Sequence, residues 1–252
     1  IRCIKGKYPR ELLESWDNYA LNGFGGHDRP DSYTEDQHYV VLFVEYAGDR
    51  CVTLQQFYLQ TAKQPISVLR QVAVTLCILE KKYKFEHRDL HLGNILVRRA
   101  KTRSLNYIID GQPFTIKLKG VRCFLMDFTL SRIEMGDKVH FINLSSISRM
   151  FSGEGDDHFD VYRSMRDVVG TSWANFNPKT NVLWLEYLID YFSKTKCRGA
   201  QLPLVRKEHL LNIKRSVQMC ISSEEVSFLK VLFPERHQQA PIMTADVLPT
   251  DQ

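Results

Sequence analysis

A chain of 252 residues with 44% hydrophobic content is long enough to bury one sizeable core, with room for a small appended piece. Its net charge of +5 is mild and spread out, which argues against a dedicated nucleic-acid groove, and no apolar run reaches the ~18 residues that a bilayer span requires. Six cysteines, at 3, 51, 77, 123, 197 and 220, form no Cys-x-x-Cys pair and no compact framework, so they read as reduced thiols of an intracellular protein.

In chain order, Arg10 to Ala20 has helical spacing after Pro9, and a polar, Gly-rich loop follows through Asp36. Within it, Asn22-Gly23-Phe24-Gly25-Gly26 reads as a loop and not as a phosphate-covering turn, because no β-branched strand and no Lys-bearing strand come after it. Tyr39 to Val44 reads as a buried strand. Ile66, Leu69, Val72, Ala73, Leu76, Leu79 and Tyr83 recur at three-and-four spacing, the mark of a buried helix over 65–83. Ile95-Leu96-Val97 and Cys123 to Met126 look like short buried strands, and the basic run Arg98 to Arg103 like a solvated loop. Between them, Leu105 to Ile109, Asp110-Gly111 and Phe114 to Leu118 make a hairpin signal. Asp160 opens an apolar helix, Val182 to Phe192 and Leu202 to Met219 read as further helices, and from Pro234 the chain is polar and expected to fray.

Two segments bracket the hairpin and carry chemistry. His87-Arg88-Asp89-Leu90-His91-Leu92-Gly93-Asn94 precedes the first short strand, and Asp127-Phe128-Thr129 follows the second. Phosphoryl transfer needs one carboxylate to orient and accept from a hydroxyl, and oxygen ligands to hold magnesium on nucleotide phosphates. Asp89 suits the first task, and Asn94 with Asp127 the second, which is the pattern of a protein kinase's catalytic and metal-binding loops. The spacing of His87 and His91 would also suit a helical zinc site, but the motif's Glu is missing and Gly93-Asn94 break the segment.

His-Arg-Asp-Leu-His and Asp127-Phe128-Thr129, with Leu130-Ser131-Arg132 following, resemble the haspin family of atypical kinases. Lys7-Tyr8-Pro9, Ser15 to Tyr19, Asp28 to Asp31, Phe151 to Asp156, Phe159 to Arg163 and Asn181 to Leu185 are similar to haspin segments in haspin order. The resemblance implies an α+β, protein-kinase-like fold: residues 1–50 a remnant of the N-terminal lobe and hinge, 51–233 a mostly helical C-terminal lobe, and 234–252 a polar tail. Most of the N-terminal lobe is absent, since no Gly-rich strand-turn-strand, strand Lys or paired helical Glu is found. Either the segment is cut from a longer kinase or the protein lacks that lobe and is a pseudokinase that binds or scaffolds a chromatin peptide.

The resemblance further implies ATP and Mg2+ as cofactors. Val44 would stand at the gate of the adenine pocket, Glu45 to Ala47 would offer backbone groups to the adenine edge, and Asp160 would hold the catalytic-loop backbone. His91 replaces the usual phosphate-contacting lysine with a donor whose charge depends on pH. Thr129, β-branched where kinases carry glycine, predicts a loop held in one state, and the absence of Ala-Pro-Glu after Asp127 agrees with little use of activation-loop phosphorylation. The expected partner is a basic protein tail such as the histone H-three N-terminus, phosphorylated on a threonine by a monomer in the nucleus, chromosome-associated in mitosis, with no direct nucleic-acid or membrane binding. Glu154, Asp156 and Asp157 are the candidate tail contacts. The positions that are acidic in haspins just before them fall on Ile147 and Arg149, so affinity for that tail is expected to be reduced.

Overall fold

The computed structural model describes residues 1–24 and 28–237. The chain divides into two compact units, the first being Ile1–Tyr46 and the second beginning at Ala47.

In the first unit, strand β1 (Arg2–Lys5) pairs antiparallel with β2 (His38–Val41), Arg2 opposite Val41 and Lys5 opposite His38. Helix α1 (Arg10–Tyr19) starts directly after Pro9, whose fixed φ and extended ψ suit the entry, and continues as a π-helical turn over Ala20–Phe24. Gly25 and Gly26, part of the loop discussed above, lie outside the described residues. Arg29 ties the unit together, its guanidinium bonded to Asp17 at 2.8 and 3.0 Å and to Asp31. The sequence reading of Tyr39 to Val44 as a buried strand is corrected: the strand ends at Val41, and Leu42, Phe43 and Val44 are exposed. Tyr39 and Val41 are half-buried, with Tyr39 set edge-on to Tyr8 and Tyr33, but a two-stranded ribbon covers little surface and the apolar run beyond it stays exposed.

The second unit holds the core. A short strand β3 (Val52–Thr53), helix α2 (Gln64–Tyr83), and strands β4 (Ile95–Arg99), β5 (Ser104–Ile109), β6 (Gln112–Lys117) and β7 (Val121–Leu125) come first. Strands β8 (Ile133–Met135) and β9 (Lys138–His140) then precede helices α3 (Arg149–Ser152), α4 (His158–Val169) and α5 (Lys179–Lys194). A small ribbon of β10 (Lys196–Cys197) and β11 (Ala200–Gln201) leads to α6 (Leu204–Gln218) and α7 (Ser223–Phe228).

Val68, Leu69, Val72, Ala73 and Leu76 of α2 and Val182, Trp184, Leu185, Leu188 and Phe192 of α5 are buried in one continuous apolar cluster. The antiparallel sheet β3-β4-β7 lies beside α2, and the β5-β6 hairpin closes on Asp110 and Gly111 at φ 52° and 75°. Both turn residues adopt the left-handed conformation that a two-residue hairpin of matching twist requires. All six cysteines are free. No helix of the described residues is long and apolar enough to cross a membrane. The segment from Pro234, expected to fray, begins with an ordered turn: Leu232 and Phe233 are buried, and Glu235 pairs with Arg70 at 3.1 Å. Residues 238–252 lie outside the described residues.

Candidate active site

The antiparallel pair β4-β7 brings the two motif segments to one end of a sheet. Ile95 faces Leu125, and the Met126 N–H donates to the Asn94 carbonyl at 3.0 Å, so Asn94 and Asp127 leave the strands side by side. The Asn94 amide nitrogen donates to the Asp89 carbonyl at 2.8 Å and to Asp89 Oδ2 at 3.3 Å, which leaves Asn94 Oδ1 without a donor among the described residues. Asp127 sits at φ 61°, a left-handed conformation that Asp and Asn tolerate better than most residues. Its Oδ1 accepts from the Thr129 N–H at 3.2 Å and the Thr129 hydroxyl at 2.6 Å. Those bonds, foremost the hydroxyl, hold the Asp127 carboxyl below its ordinary pKa. The threonine in the glycine position therefore pins the carboxylate and leaves Asp127 Oδ2 open.

Asp89 is almost fully buried. Its Oδ1 accepts a short hydrogen bond from the Tyr162 hydroxyl on α4 and stands 3.8 Å from His91 Nε2. Burial pushes the Asp89 carboxyl up, against the pull of the Tyr162 bond. His91 Nδ1 accepts from the Gly93 N–H at 3.0 Å, so the proton sits on Nε2 and the imidazole donates toward the site while neutral. A Cβ at Gly93 would lie 2.7 Å from the His91 ring, so only glycine lets the ring take this place.

The loop is anchored from beneath. Asn181, in the first turn of α5, accepts from the His87 N–H at 2.9 Å and donates to Glu80 at 2.8 Å and the Phe85 carbonyl at 2.9 Å. The sequence expectation for Asp160 is thereby corrected: its side chain is exposed and pairs with Arg163 at 2.5 Å, while Asn181 holds the loop backbone. His87 donates to the Met126 carbonyl at 3.1 Å, and burial pushes its pKa down to about 4. Arg88, fully buried and at φ 64°, forks onto Glu86 with two bonds of 3.1 Å and donates to the Trp173 carbonyl at 2.7 Å. Glu86 also accepts from the Asn177 N–H and the Thr180 hydroxyl, both at 2.9 Å.

The acidic loop between α3 and α4 is shaped by glycine, since a Cβ on Gly153 would meet the Phe159 ring at 2.1 Å. Asp156 takes His158 Nδ1 at 3.0 Å, and the His158 ring lies 5.6 Å from that of His91. Burial works to raise the Asp156 pKa, but the bonds from His158 and the nearby His91 hold it low. Asp157 pairs with Lys194 at 2.8 Å, whereas Glu154 is exposed with no ion-pair partner among the described residues. Ile147 packs against the core and Arg149 is exposed.

Asp89, His91, Asn94, Asp127 and Asp156 thus come together. Val44 and Glu45 are exposed in the first unit and Ala47 starts the second, all in the unpaired stretch between β2 and β3. Tyr162 and Asn181 were not singled out from the sequence. Their signal is a polar group within an apolar helical stretch, which needs a buried partner.

Among the described residues no three His, Cys, Asp or Glu side chains group to hold a metal. Magnesium in phosphotransferases takes one or two carboxylates and completes its shell with phosphate oxygens and water, so the open oxygens of Asn94 and Asp127 fit that ion.

Residues 1–233 match the model of the haspin like kinase domain, and the chain belongs to that family. It is 35% identical to mouse serine/threonine-protein kinase haspin over 92% of its length, and 37% identical to the Arabidopsis thaliana haspin homolog over 89%. It is also 36% identical to the Schizosaccharomyces pombe homolog hrk1 over 82%. These alignments span 31%, 37% and 45% of the three relatives, so the chain covers less than half of each.

Proposed function

We propose that the chain supplies the catalytic and metal-binding loops of a serine/threonine protein kinase that uses ATP. The observation that carries this reading is the Asp89 carboxylate, buried and held between Tyr162, His91 and Asn94, with Asp127 beside it. Asp89 orients the acceptor hydroxyl and takes its proton as the new oxygen–phosphorus bond forms and the bond to ADP breaks. His91, a neutral donor through Nε2, contacts the transferred phosphoryl group in place of the usual lysine. Asn94 and Asp127 hold magnesium, which when bound with ATP offsets the charge of its phosphates. The second unit is read as the helical C-terminal lobe; the first is read as a remnant of the nucleotide-covering lobe, with Val44 and the Glu45 to Ala47 backbone serving the adenine.

Arg88, spent on Glu86 and sealed from solvent, supports a site that does not wait for a phosphorylated activation segment. For the substrate, Glu154, Asp156 and Asp157 fit a basic tail such as that of histone H-three, which would place the protein on chromosomes in the nucleus. Arg149 weakens this fit.

The test is transfer of labelled phosphate from magnesium ATP to the histone H-three tail peptide by the full-length protein. Asp89→Asn should lower turnover by about 10²- to 10⁴-fold. Asp127→Asn should abolish magnesium-supported turnover with unchanged folding, because asparagine keeps the left-handed backbone at that position. Equal activity in both variants and the parent sinks the assignment. ATP binding with no label on this peptide would point to another substrate, and neither binding nor label to a pseudokinase that binds its peptide without modifying it.

A further inference from the structure

A second concavity shares no residue with the Asp89 site. It encloses about 260 Å3 and is walled by Lys63, Arg70, Lys117, Lys119 and Arg206, together with His209 and Ser67. Four elements supply these groups: the entry and first turns of α2, the end of β6, the turn into β7, and the first turns of α6. No carboxylate lines it. Arg70 is paired with Glu235, but Lys63, Lys117, Lys119 and Arg206 have no carboxylate within 4 Å among the described residues. Gathering so many like charges in one hollow is unfavourable unless an anion completes it. The field there is felt by His209, whose pKa is lowered first by burial and then by the charges of Arg206 and Arg70.

The wall is built as well as charged. The turn carrying Lys119 is fixed to α2, its N–H donating to Ser67 Oγ and its carbonyl accepting from Gln64, both at 3.3 Å. Ser67 is 2% exposed, and its oxygen also accepts from Gln71 at 3.3 Å. Its hydroxyl proton is therefore unspent among the described residues, a buried donor on the cavity wall. Helices α2 and α6 both begin without a side-chain cap, which adds the positive end of two helix dipoles. Donors without acceptors suit a ligand that only accepts. The volume suits one compact group and not a length of nucleic-acid backbone, which needs an extended basic stripe. Leu204 and Val205, exposed beside Arg206, offer apolar purchase to flanking peptide side chains.

We propose that this cavity binds a phosphate monoester borne by a peptide, a phosphorylated serine or threonine side chain. The experiment measures fluorescence anisotropy of a labelled phosphoserine peptide and its unphosphorylated counterpart on the full-length protein, with inorganic phosphate as competitor. The phosphorylated form should bind at least about tenfold tighter. The pair Lys119→Gln with Arg206→Gln should weaken it by about tenfold or more at unchanged melting temperature, and Ser67→Ala, which also takes an acceptor from the Lys119 N–H and from Gln71, by a few-fold. Lys101→Gln with Lys138→Gln, an equal charge change outside the cavity, should shift it less than about twofold. Inorganic phosphate displacing the peptide only from proteins with an intact cavity would support the site. Equal affinity for the two peptides, equal loss in the control pair, or preference for a DNA duplex with the same sensitivity to Lys119 and Arg206 would overturn it.

Discussion

The loop that carries Asp89 and the loop that carries Glu154, Asp156 and Asp157 lie against the same helix α4, yet they are built on opposite terms. Glu86 to Leu90 are buried, and most of their polar groups are tied, to Asn181, Thr180, Asn177, Trp173 and Ser131, with His87 Nδ1 and Arg88 Nη1 left over among the described residues. The acidic loop is open to solvent, shaped by glycine, and two of its carboxylates are spent on His158 and the exposed Lys194. Groups that meet reacting atoms need fixed positions, and burial with a dense set of hydrogen bonds supplies them. Groups that select a charged partner need exposure, and their energies are correspondingly small and salt-sensitive.

The largest expected effect breaks the buried side. Arg88→Ala removes both guanidinium bonds from the buried Glu86 carboxylate and leaves it only Arg132, at 4.0 Å, as a cation, which should cost about 3 kcal/mol of unfolding free energy. Urea unfolding of the full-length protein measures it, and a loss under about 1 kcal/mol would mean that Glu86 reaches solvent and that the loop is not locked as described.

A pH dependence comes next. Burial pushes the Glu80 carboxyl up to about 7, despite the bonds it accepts from Asn181 and from the Ser223 N–H. Between its ordinary value near 4.5 and about 7 the folded state holds a proton that the unfolded chain has released. Glu80's contribution is therefore full below about 4.5 and lost as pH rises through 7, a swing of about 3 kcal/mol. His87, pushed down to about 4, acts in the other direction, losing stability as pH falls from 6.5 toward 4. The two slopes oppose each other from pH 4.5 to 6.5, so the Glu80 decline should show most clearly just above that range. Melting temperatures at pH 6.5 and 8 in parent and Glu80→Gln resolve it, since the variant should lack the decline.

These same residues show what a sequence discloses and what it hides. Asp89, Asn94 and Asp127 were legible because their chemistry fixes their spacing, and α2, α5 and the Asp110-Gly111 hairpin because periodicity and turn chemistry are local. Asn181 was hidden because its partners, Glu80, Phe85 and His87, lie about a hundred positions away in the chain, and Asp160 was favoured instead because the family resemblance implies an aspartate at the start of that helix as the anchor of the catalytic loop. Tyr39 to Val44 misled for the complementary reason: hydrophobicity marks a capacity for burial, while burial itself depends on what faces the strand.

Tyr162→Phe sharpens the comparison at its junction, since α4 carries both Tyr162 and the end of the acidic loop. The hydroxyl lowers the pKa of Asp89 against the effect of burial, so its removal should raise that pKa further. The acid limb of kcat/KM, where Asp89 must be ionised, moves to higher pH, so activity lost on the acid side recovers in more alkaline buffer. A pH-independent loss would mean that the hydroxyl only positions the helix.

The smallest effects belong to the open loop. Glu154→Gln should raise KM for a basic peptide by roughly two- to fivefold with kcat unchanged, and the effect should fade as salt is added. Asp157→Asn should do less, because Lys194 already neutralises the carboxylate in the free protein, and a peptide lysine gains only by displacing it. Arg149→Glu should lower KM by a similar factor, restoring a negative charge where the chain carries a positive one. An Asp157→Asn effect as large as that of Glu154→Gln would show that the Lys194 pair opens when substrate arrives, and the loop would then belong with the parts of the site that rearrange on binding.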